Sequence, residues 1–257
     1  MTASASLFIS DLHLTPLQPA LADCLCRFIA NQARTADAVY ILGDLFDVWL
    51  GDDDLASPFS GDIVSALRDL TDAGVALHIM HGNRDFLLGD DFAKACGAQI
   101  LPDPTRIELH NLPALLTHGD NLCSDDLAYL SFRDHVRRPA WRAEFLAKPL
   151  AERRDWAAQL RARSELAKGS KNQAIMDVND TAVQAAFREH ACTMMIHGHT
   201  HRPKHHRLEV DGHTCERWVL PDWQTTPGYL HCDATGCRLI ELDCATAQGK
   251  PLQRTQT

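Results

Sequence analysis

Short runs of Val, Ile and Leu punctuate the chain. They are separated by longer stretches in which apolar residues recur at three- and four-residue spacing. SLFIS, AVYIL, VALHIM, ALLT and TMMI have strand length, and each runs straight into Asp, Gly or His. LADCLCRFIANQAR and GDIVSALRDLTDAG have the spacing of amphipathic helices, the second closed by Gly74. NDTAVQAAFREH predicts a helix capped by Asn179. Strands alternating with helices predict an α/β fold. In such folds ligands gather beyond the carboxyl ends of the strands, so the residues that follow the five runs are the ones to inspect.

Residues 125–175 break the alternation. They contain no strand-like run and predict two or three amphipathic helices interrupted at Pro139 and Pro149. We read them as a helical insertion in a single domain spanning residues 1–245. ERWVL, PGYLHC and CRLIEL predict the last strands, and residues 246–257 a polar tail that frays.

Composition narrows the class. The chain has 257 residues, 45% of them hydrophobic, enough for one large core. No apolar run approaches the roughly 20 residues of a membrane-spanning helix. MTASASLFIS lacks the basic start and apolar stretch of a signal peptide. None of the nine cysteines forms a C-x-x-C pair, so they are expected to be reduced thiols of a cytosolic protein. The net charge is −9, but Arg133–Lys171 holds eleven Lys and Arg against five Asp and Glu, or +6, leaving −15 elsewhere. Such a basic segment is either a surface for anions or anionic membranes, or a solvated helical face. The acidic remainder argues against a long nucleic acid as partner.

The five runs end in Asp11-Leu12-His13, Gly43-Asp44-Leu45-Phe46-Asp47, His81-Gly82-Asn83-Arg84-Asp85, His118-Gly119-Asp120 and His197-Gly198-His199-Thr200-His201. Each alone is bland, since Asp, Gly and Asn close turns. All five in order, each at a strand end, point to a site. Carboxylate, imidazole and amide oxygen together suit Mn²⁺, Fe²⁺ or Zn²⁺ better than Ca²⁺ or Mg²⁺.

D-x-H, G-D-x-x-D, G-N-x-D, H-G-D and G-H-T-H, over residues 11–201, resemble the calcineurin-like metallophosphoesterases. The resemblance implies a β-sandwich flanked by helices, carrying two metal ions. It implies that Asp11, His13, Asp44 and His201 hold one ion, and that Asp44, Asn83, His118 and His199 hold the other. His197, Asp47 and Asp120 would support these ligands or close turns. Where many members carry a His after the Asn, this chain has Arg84. Arginine grips phosphate oxygens but is a poor proton donor, which suits a leaving group that is itself a phosphate.

LFISDLHL, ADAVYILGDLFDVWLGDDD, HGNRDFLLG, IMDVN and IHGHTHRP are similar to one branch of that family. This branch cleaves UDP-2,3-diacylglucosamine to UMP and 2,3-diacylglucosamine 1-phosphate in lipid A synthesis, using Mn²⁺ at the cytoplasmic face of the inner membrane. The likeness implies a catalytic set of Asp44, Asn83, Arg84 and His199. It implies a substrate-binding set of Asn83, Arg84, Asp126, Tyr129, Arg161, Ser164, Lys168, Lys171 and His199. Lys168 departs from the Asn of some relatives, and LPDWQTTPG departs from their glycine-containing form. In this branch the insertion is a cap that houses acyl chains. Trp141, Phe145, Leu146, Leu150, Trp156, Leu160 and Leu166 could line it, or could simply pack on the sheet. A monomer with no nucleic-acid partner is expected. The competing readings are another dinuclear phosphoesterase and a non-catalytic scaffold of the same fold.

Overall fold

Each predicted strand run carries apolar residues at both parities, so each strand needs cover on both faces. The computed structural model, which describes residues 5–168 and 177–252 and no side chains for 163–168, supplies that cover with two stacked sheets and outer helices. The chain order is β1 (Ala5–Ile9), α1 (Pro19–Asn31), β2 (Ala38–Leu42), α2 (Pro58–Asp72), β3 (Ala76–Met80), α3 (Asp90–Cys96), β4 (Gln99–Leu101), β5 (Thr105–Leu109) and β6 (Leu112–Thr117). It continues through α4 (Leu127–Val136), α5 (Pro139–Leu146), α6 (Leu150–Lys168), α7 (Asp180–Glu189), β7 (Met194–His197), β8 (Lys204–Val210), β9 (His213–Val219), β10 (Gly228–Asp233), β11 (Gly236–Asp243) and β12 (Gln248–Pro251). One sheet runs β12-β11-β10-β1-β2-β3-β4 and the other β5-β6-β7-β9-β8.

The period of two decides which layer each side chain enters. Phe8, Leu42 and Met80 face Leu116, Ile196 and Trp218 between the sheets. Leu7, Ile9, Val39, Ile41, Leu77 and Ile79 point the other way, onto Leu25, Phe28, Ile63 and Leu67 of α1 and α2. Leu115 and Met195 turn outward beneath Val183 and Phe187 of α7. β1, β2 and β3 are parallel, as are β6 and β7. Within each group the carboxyl ends therefore open on one edge.

The helix signals correspond to real ends. Ser57 caps α2, Gly74 follows it at φ 91°, and Asn179 accepts from Thr181 N and Ala182 N at the start of α7. Pro139 opens α5, and Pro149 directly precedes α6. The sequence reading had no place for α3, β4, β5 and β8. Residues 248–251, expected in a frayed tail, pair with β11 as an exposed edge strand.

The insertion helices are attached to the main core. Trp141 stacks on Phe145 at 4.6 Å, Phe145 meets Trp156 edge-on at 4.9 Å, and Phe86 of the core lies 6.2 Å from Trp141. Arg153 reaches back from α6, donating to the Leu50 carbonyl and, in fork geometry, to Asp53.

The expectation of nine free thiols does not hold. Cys24 of α1 is joined to Cys244, and Cys232 to Cys237, leaving Cys26, Cys96, Cys123, Cys192 and Cys215 free. Nothing in the spacing reveals the first pair, 220 residues apart. The second is a directly opposed cross-strand pair in the β10–β11 hairpin.

Candidate metal centre

The five motif loops are stitched to one another by main-chain bonds. Asp11 N–H donates to Gly43 O at 3.1 Å, His13 N–H to Asp44 O at 2.9 Å, and Gly198 N–H to His118 O at 3.0 Å. Asp85 organises the second and third loops. Its buried carboxylate accepts from Gly82 N at 2.8 Å, Leu45 N at 2.7 Å and Asp44 N at 3.3 Å. Sequence reasoning gave Asp85 no role, although its place closing G-N-x-D was a usable signal.

Such close approach leaves no room for side chains at two glycines. A Cβ on Gly82 would sit 2.0 Å from Asp44 Oδ1, and one on Gly198 would sit 1.9 Å from Ser10 Oγ. The backbone is strained as well. Asp11, His13, Asp44, His199 and His201 have φ of 56°, 49°, 53°, 68° and 55°. For residues with a Cβ this left-handed region costs about 1–2 kcal/mol each. It persists where surrounding bonds over-determine it, as at functional sites.

Both central carboxylates divide their work. Asp11 Oδ2 accepts from Ser10 Oγ at 2.5 Å and from His199 N at 2.8 Å. Its Oδ1 is buried, accepts no well-formed hydrogen bond, and lies 3.3 Å from His201 Nε2 and 3.9 Å from His13 Nε2. Asp44 Oδ1 accepts from Arg84 N at 2.8 Å, while Oδ2 lies 3.8 Å from Nε2 of both His13 and His118. One oxygen of each is therefore held by the protein, and the other faces imidazoles.

The imidazoles point to a cation. His118 Nδ1 donates to the Leu42 carbonyl at 2.9 Å, since a carbonyl can only accept. In neutral His118 the lone pair is then on Nε2, which faces Asn83 Oδ1 at 3.1 Å and Asp44 Oδ2. His199 Nδ1 is 3.0 Å from the same Asn83 oxygen, and the Nε2 atoms of His13 and His201 are 3.3 Å apart. These ring nitrogens and the Asn83 oxygen converge on the Asp11 and Asp44 carboxylates, a crowding of ligand atoms that a cation could join. Asp11, His13 and His201 form one potential ligand group, and Asp11, Asp44 and His118 a second. The donor set fits divalent transition-metal ions.

Electrostatics agree. Burial pushes the Asp44 carboxyl up, and nearby Asp85 and Asp11 add to this. Burial opposes a charge on His118, but Asp44, Asp11 and Asp120 lift it to about 9, so without a metal its Nε2 holds a proton toward Asn83, where a cation would take the proton's place. Burial lowers His13 and His199 to about 4, so both present lone pairs at neutral pH. Four buried carboxylates, Asp11, Asp44, Asp85 and Asp120, thus draw a cation into the site.

His197 is committed elsewhere. Arg217 Nη1 donates to its Nε2 at 3.0 Å and its Nδ1 donates to Gly198 O at 2.9 Å, so neither nitrogen is left for a ligand. Asp47 accepts from Arg161 of α6, and Asp120 from the Tyr129 hydroxyl. Tyr129 lies over His199 with ring centroids 6.2 Å apart. Asp126 caps α4 by accepting from Tyr129 N at 3.1 Å. Arg84 is half-buried, and its guanidinium makes no hydrogen bond or ion pair with another described residue. The backbones of Ser164 and Lys168 belong to α6, but their side chains lie outside the description, as does all of Lys171. From the divergent C-terminal segment, Trp223 N donates to Asp11 O at 3.1 Å, which sets that segment against the site.

Residues 6–203 match the family described as calcineurin-like phosphoesterase. A protein of Aromatoleum aromaticum named UDP-2,3-diacylglucosamine hydrolase is 50% identical over 90% of this chain and 94% of its own length. Relatives of the same name from Stenotrophomonas maltophilia and Cellvibrio japonicus are 47% and 46% identical, covering 92% and 93% of this chain and 98% and 99% of theirs. Among solved structures, a dimetal phosphatase from Danio rerio is similar with a TM-score of 0.51 at 13% identity, covering 98% of this chain and 97% of its own. Vacuolar protein sorting 29 from Cryptosporidium parvum is similar with a TM-score of 0.50 at 12% identity and the same coverage. These two likenesses concern the fold alone, which hosts more than one function. With its five motif loops converging on one edge of the sandwich, the chain belongs to the calcineurin-like phosphoesterase family and, within it, to the group of the UDP-2,3-diacylglucosamine hydrolases.

Proposed function

We propose that this chain hydrolyses the pyrophosphate of UDP-2,3-diacylglucosamine to UMP and 2,3-diacylglucosamine 1-phosphate, with two Mn²⁺ ions. The observation that carries the reading is a pairing. Relatives so named are 46–50% identical over most of the chain, and nitrogen and oxygen donors gather around Asp11 and Asp44. Bound there, the ions supply an acidified water and neutralise charge on the phosphoryl group.

Asp11, His13, Asp44 and His201 would hold one ion, and Asp44, Asn83, His118 and His199 the other. Asp44 Oδ2 lies 3.8 Å from both His13 and His118, so Asp44 could serve both ligand groups. The Arg84 fork grips phosphate oxygens without giving up a proton. That suffices when the departing group is a sugar phosphate. Asn83 and His199 orient the same phosphate from the opposite loops.

Asp126 and Tyr129 stand at the entrance of the insertion. Arg161 would exchange Asp47 for a substrate phosphate. Ser164, Lys168 and Lys171 complete the polar-head set that the resemblance implies. The insertion, about residues 125–175, would shelter the acyl chains. No described helix is long and apolar enough to cross a membrane, and the +6 balance of Arg133–Lys171 favours peripheral contact with the cytoplasmic face of the inner membrane, which we read as that of a monomer.

The test is turnover of UDP-2,3-diacylglucosamine by the purified protein, with bis-p-nitrophenyl phosphate and UDP-N-acetylglucosamine as controls. Strong activity on either control with none on the lipid would overturn the substrate assignment.

A further inference from the structure

Helix α4 carries Tyr129, Arg133 and Arg137 at four-residue spacing, which puts them on one face. That face meets the motif loops. Arg133 Nε donates to Asp120 Oδ2 at 2.8 Å and its Nη2 to Asp103 Oδ2 at 2.9 Å. The other Asp103 oxygen accepts from Thr117 Oγ1 at 2.7 Å and from His118 N at 3.3 Å, at the end of β6. Arg137 Nη2 donates to Gly82 O at 2.9 Å, in the loop that carries Asn83. Tyr129 donates its hydroxyl to Asp120 while its ring lies over His199.

The network is sheltered from water. The Arg133, Asp103 and Asp120 side chains are 14%, 2% and 0% exposed. The Arg133 guanidinium meets a carboxylate on each of two nitrogens, so its charge is compensated inside the fold. Arg133 meets the two carboxylates through separate nitrogens of one rigid planar group, a fixed fork that a lysine ammonium lacks.

We propose that Arg133, seconded by Arg137, is a positioning residue that braces the loops holding His118 and Asn83, so that α4 is part of the metal centre rather than of a lid. The inference rests on the reading of those loops as a metal site, but not on the identity of the substrate. It also differs from a membrane role for the basic segment, because these two guanidinium groups turn inward.

The experiment titrates Mn²⁺ into metal-stripped full-length protein by calorimetry, and measures kcat on bis-p-nitrophenyl phosphate, a small diester that needs no acyl site. Arg133→Gln is expected to weaken Mn²⁺ binding by about 10–100-fold, as loss of an outer support does, and to lower kcat on the diester. Arg133→Lys, which keeps the charge without the fork, should fall between. Phe187→Leu, in the outer core beneath α7, controls for stability: it should lower the melting temperature and leave Mn²⁺ affinity as it was.

Folded Arg133→Gln protein with Mn²⁺ affinity within twofold of native would overturn the proposal. If that variant does not fold, native affinity in both Arg133→Lys and Arg137→Gln would overturn it instead. Failure of the native protein to bind Mn²⁺ would remove the metal-site reading and this inference with it. Native Mn²⁺ binding without lipid turnover would sink only the substrate assignment.

Discussion

His118 donates through Nδ1 to the carbonyl of Leu42, 2.9 Å away, a bond from the end of β6 to the end of β2. It crosses from one sheet to the other and fixes the tautomer, so that Nε2 is the nitrogen offered to the site. The candidate ligand loops of both sheets are thus set relative to each other before any metal arrives.

That relationship makes His118 and Asp44 the positions where loss should be deepest. His118→Ala and Asp44→Asn are each expected to lower turnover at least about a hundredfold, the upper end of what losing even an outer support costs. Circular dichroism should show both variants folded. Chelation should abolish native activity and Mn²⁺ restore it; undiminished turnover in a metal-free preparation would end the two-metal reading.

Arg153 fastens α6 to the loop before α2. Its side chain is 2% exposed, and removing it strands the carbonyls of Leu50 and Lys148 as well as Asp53. Because Asp53 is half-exposed, the ion pair itself counts for little. The unsatisfied carbonyls dominate, and Arg153→Ala should cost about 2 kcal/mol. In a domain of this size that lowers the melting temperature by roughly 4–8 °C. Calorimetry that found no shift would refute the fastening.

His81 gives a pH signature. It is half-buried, donates from Nε2 to Leu88 O at 2.7 Å, and is pushed down to about 4 from 6.5 because desolvation opposes its charge. The unfolded chain therefore takes up the proton first. The contribution is present above pH 6.5 and is lost as pH falls toward about 4. At 1.36 kcal/mol per unit, the loss is up to about 3 kcal/mol. His81→Gln keeps the donor without the titration, so metal-stripped variant protein should lose less stability than native between those pH values. Parallel stability curves would contradict this.

The phosphorus attacked can be located by isotope. A nucleophile entering opposite a sugar-phosphate leaving group would strike next to uridine, in keeping with Arg84 as a grip and not an acid. Hydrolysis in ¹⁸O-water should put the label in UMP and none in the lipid product. Label in the lipid phosphate would reverse the orientation assigned to the substrate.

Much of this was readable in the chain. Strands that end in Asp11, Asp44, His81, His118 and His197 announce themselves because a central strand is a dense apolar run and a ligand loop is not. That helices and no strands lie between β6 and α7 was readable too, with Pro139 and Pro149 marking the starts of α5 and α6. Other features left weaker marks. β8, KHHRLEV, is an edge strand with one buried side chain, so its composition resembles a loop. β4 has only three residues, β5 (TRIEL) has one buried side chain, and β12 has four exposed residues. Arg133 and Arg137 read as solvated charge because their partners, Asp103, Asp120 and Gly82, come from other parts of the fold. The Cys24–Cys244 pair is invisible for the same reason. Charge counts along a sequence do not say which side of a helix faces inward.

The left-handed backbone at Asp11, His13, Asp44, His199 and His201 means that the five positions work against the fold. Glycine adopts that conformation freely, and at the histidines, unlike Asp11 and Asp44 with their buried donors, replacement would also thin the crowd of ligand nitrogens. A descendant of this chain released from catalysis would therefore have stability to gain at these sites, and drift there would favour glycine or asparagine. A paralogue carrying glycine at the position of His13 or His201 would be marked as one that has exchanged turnover for durability.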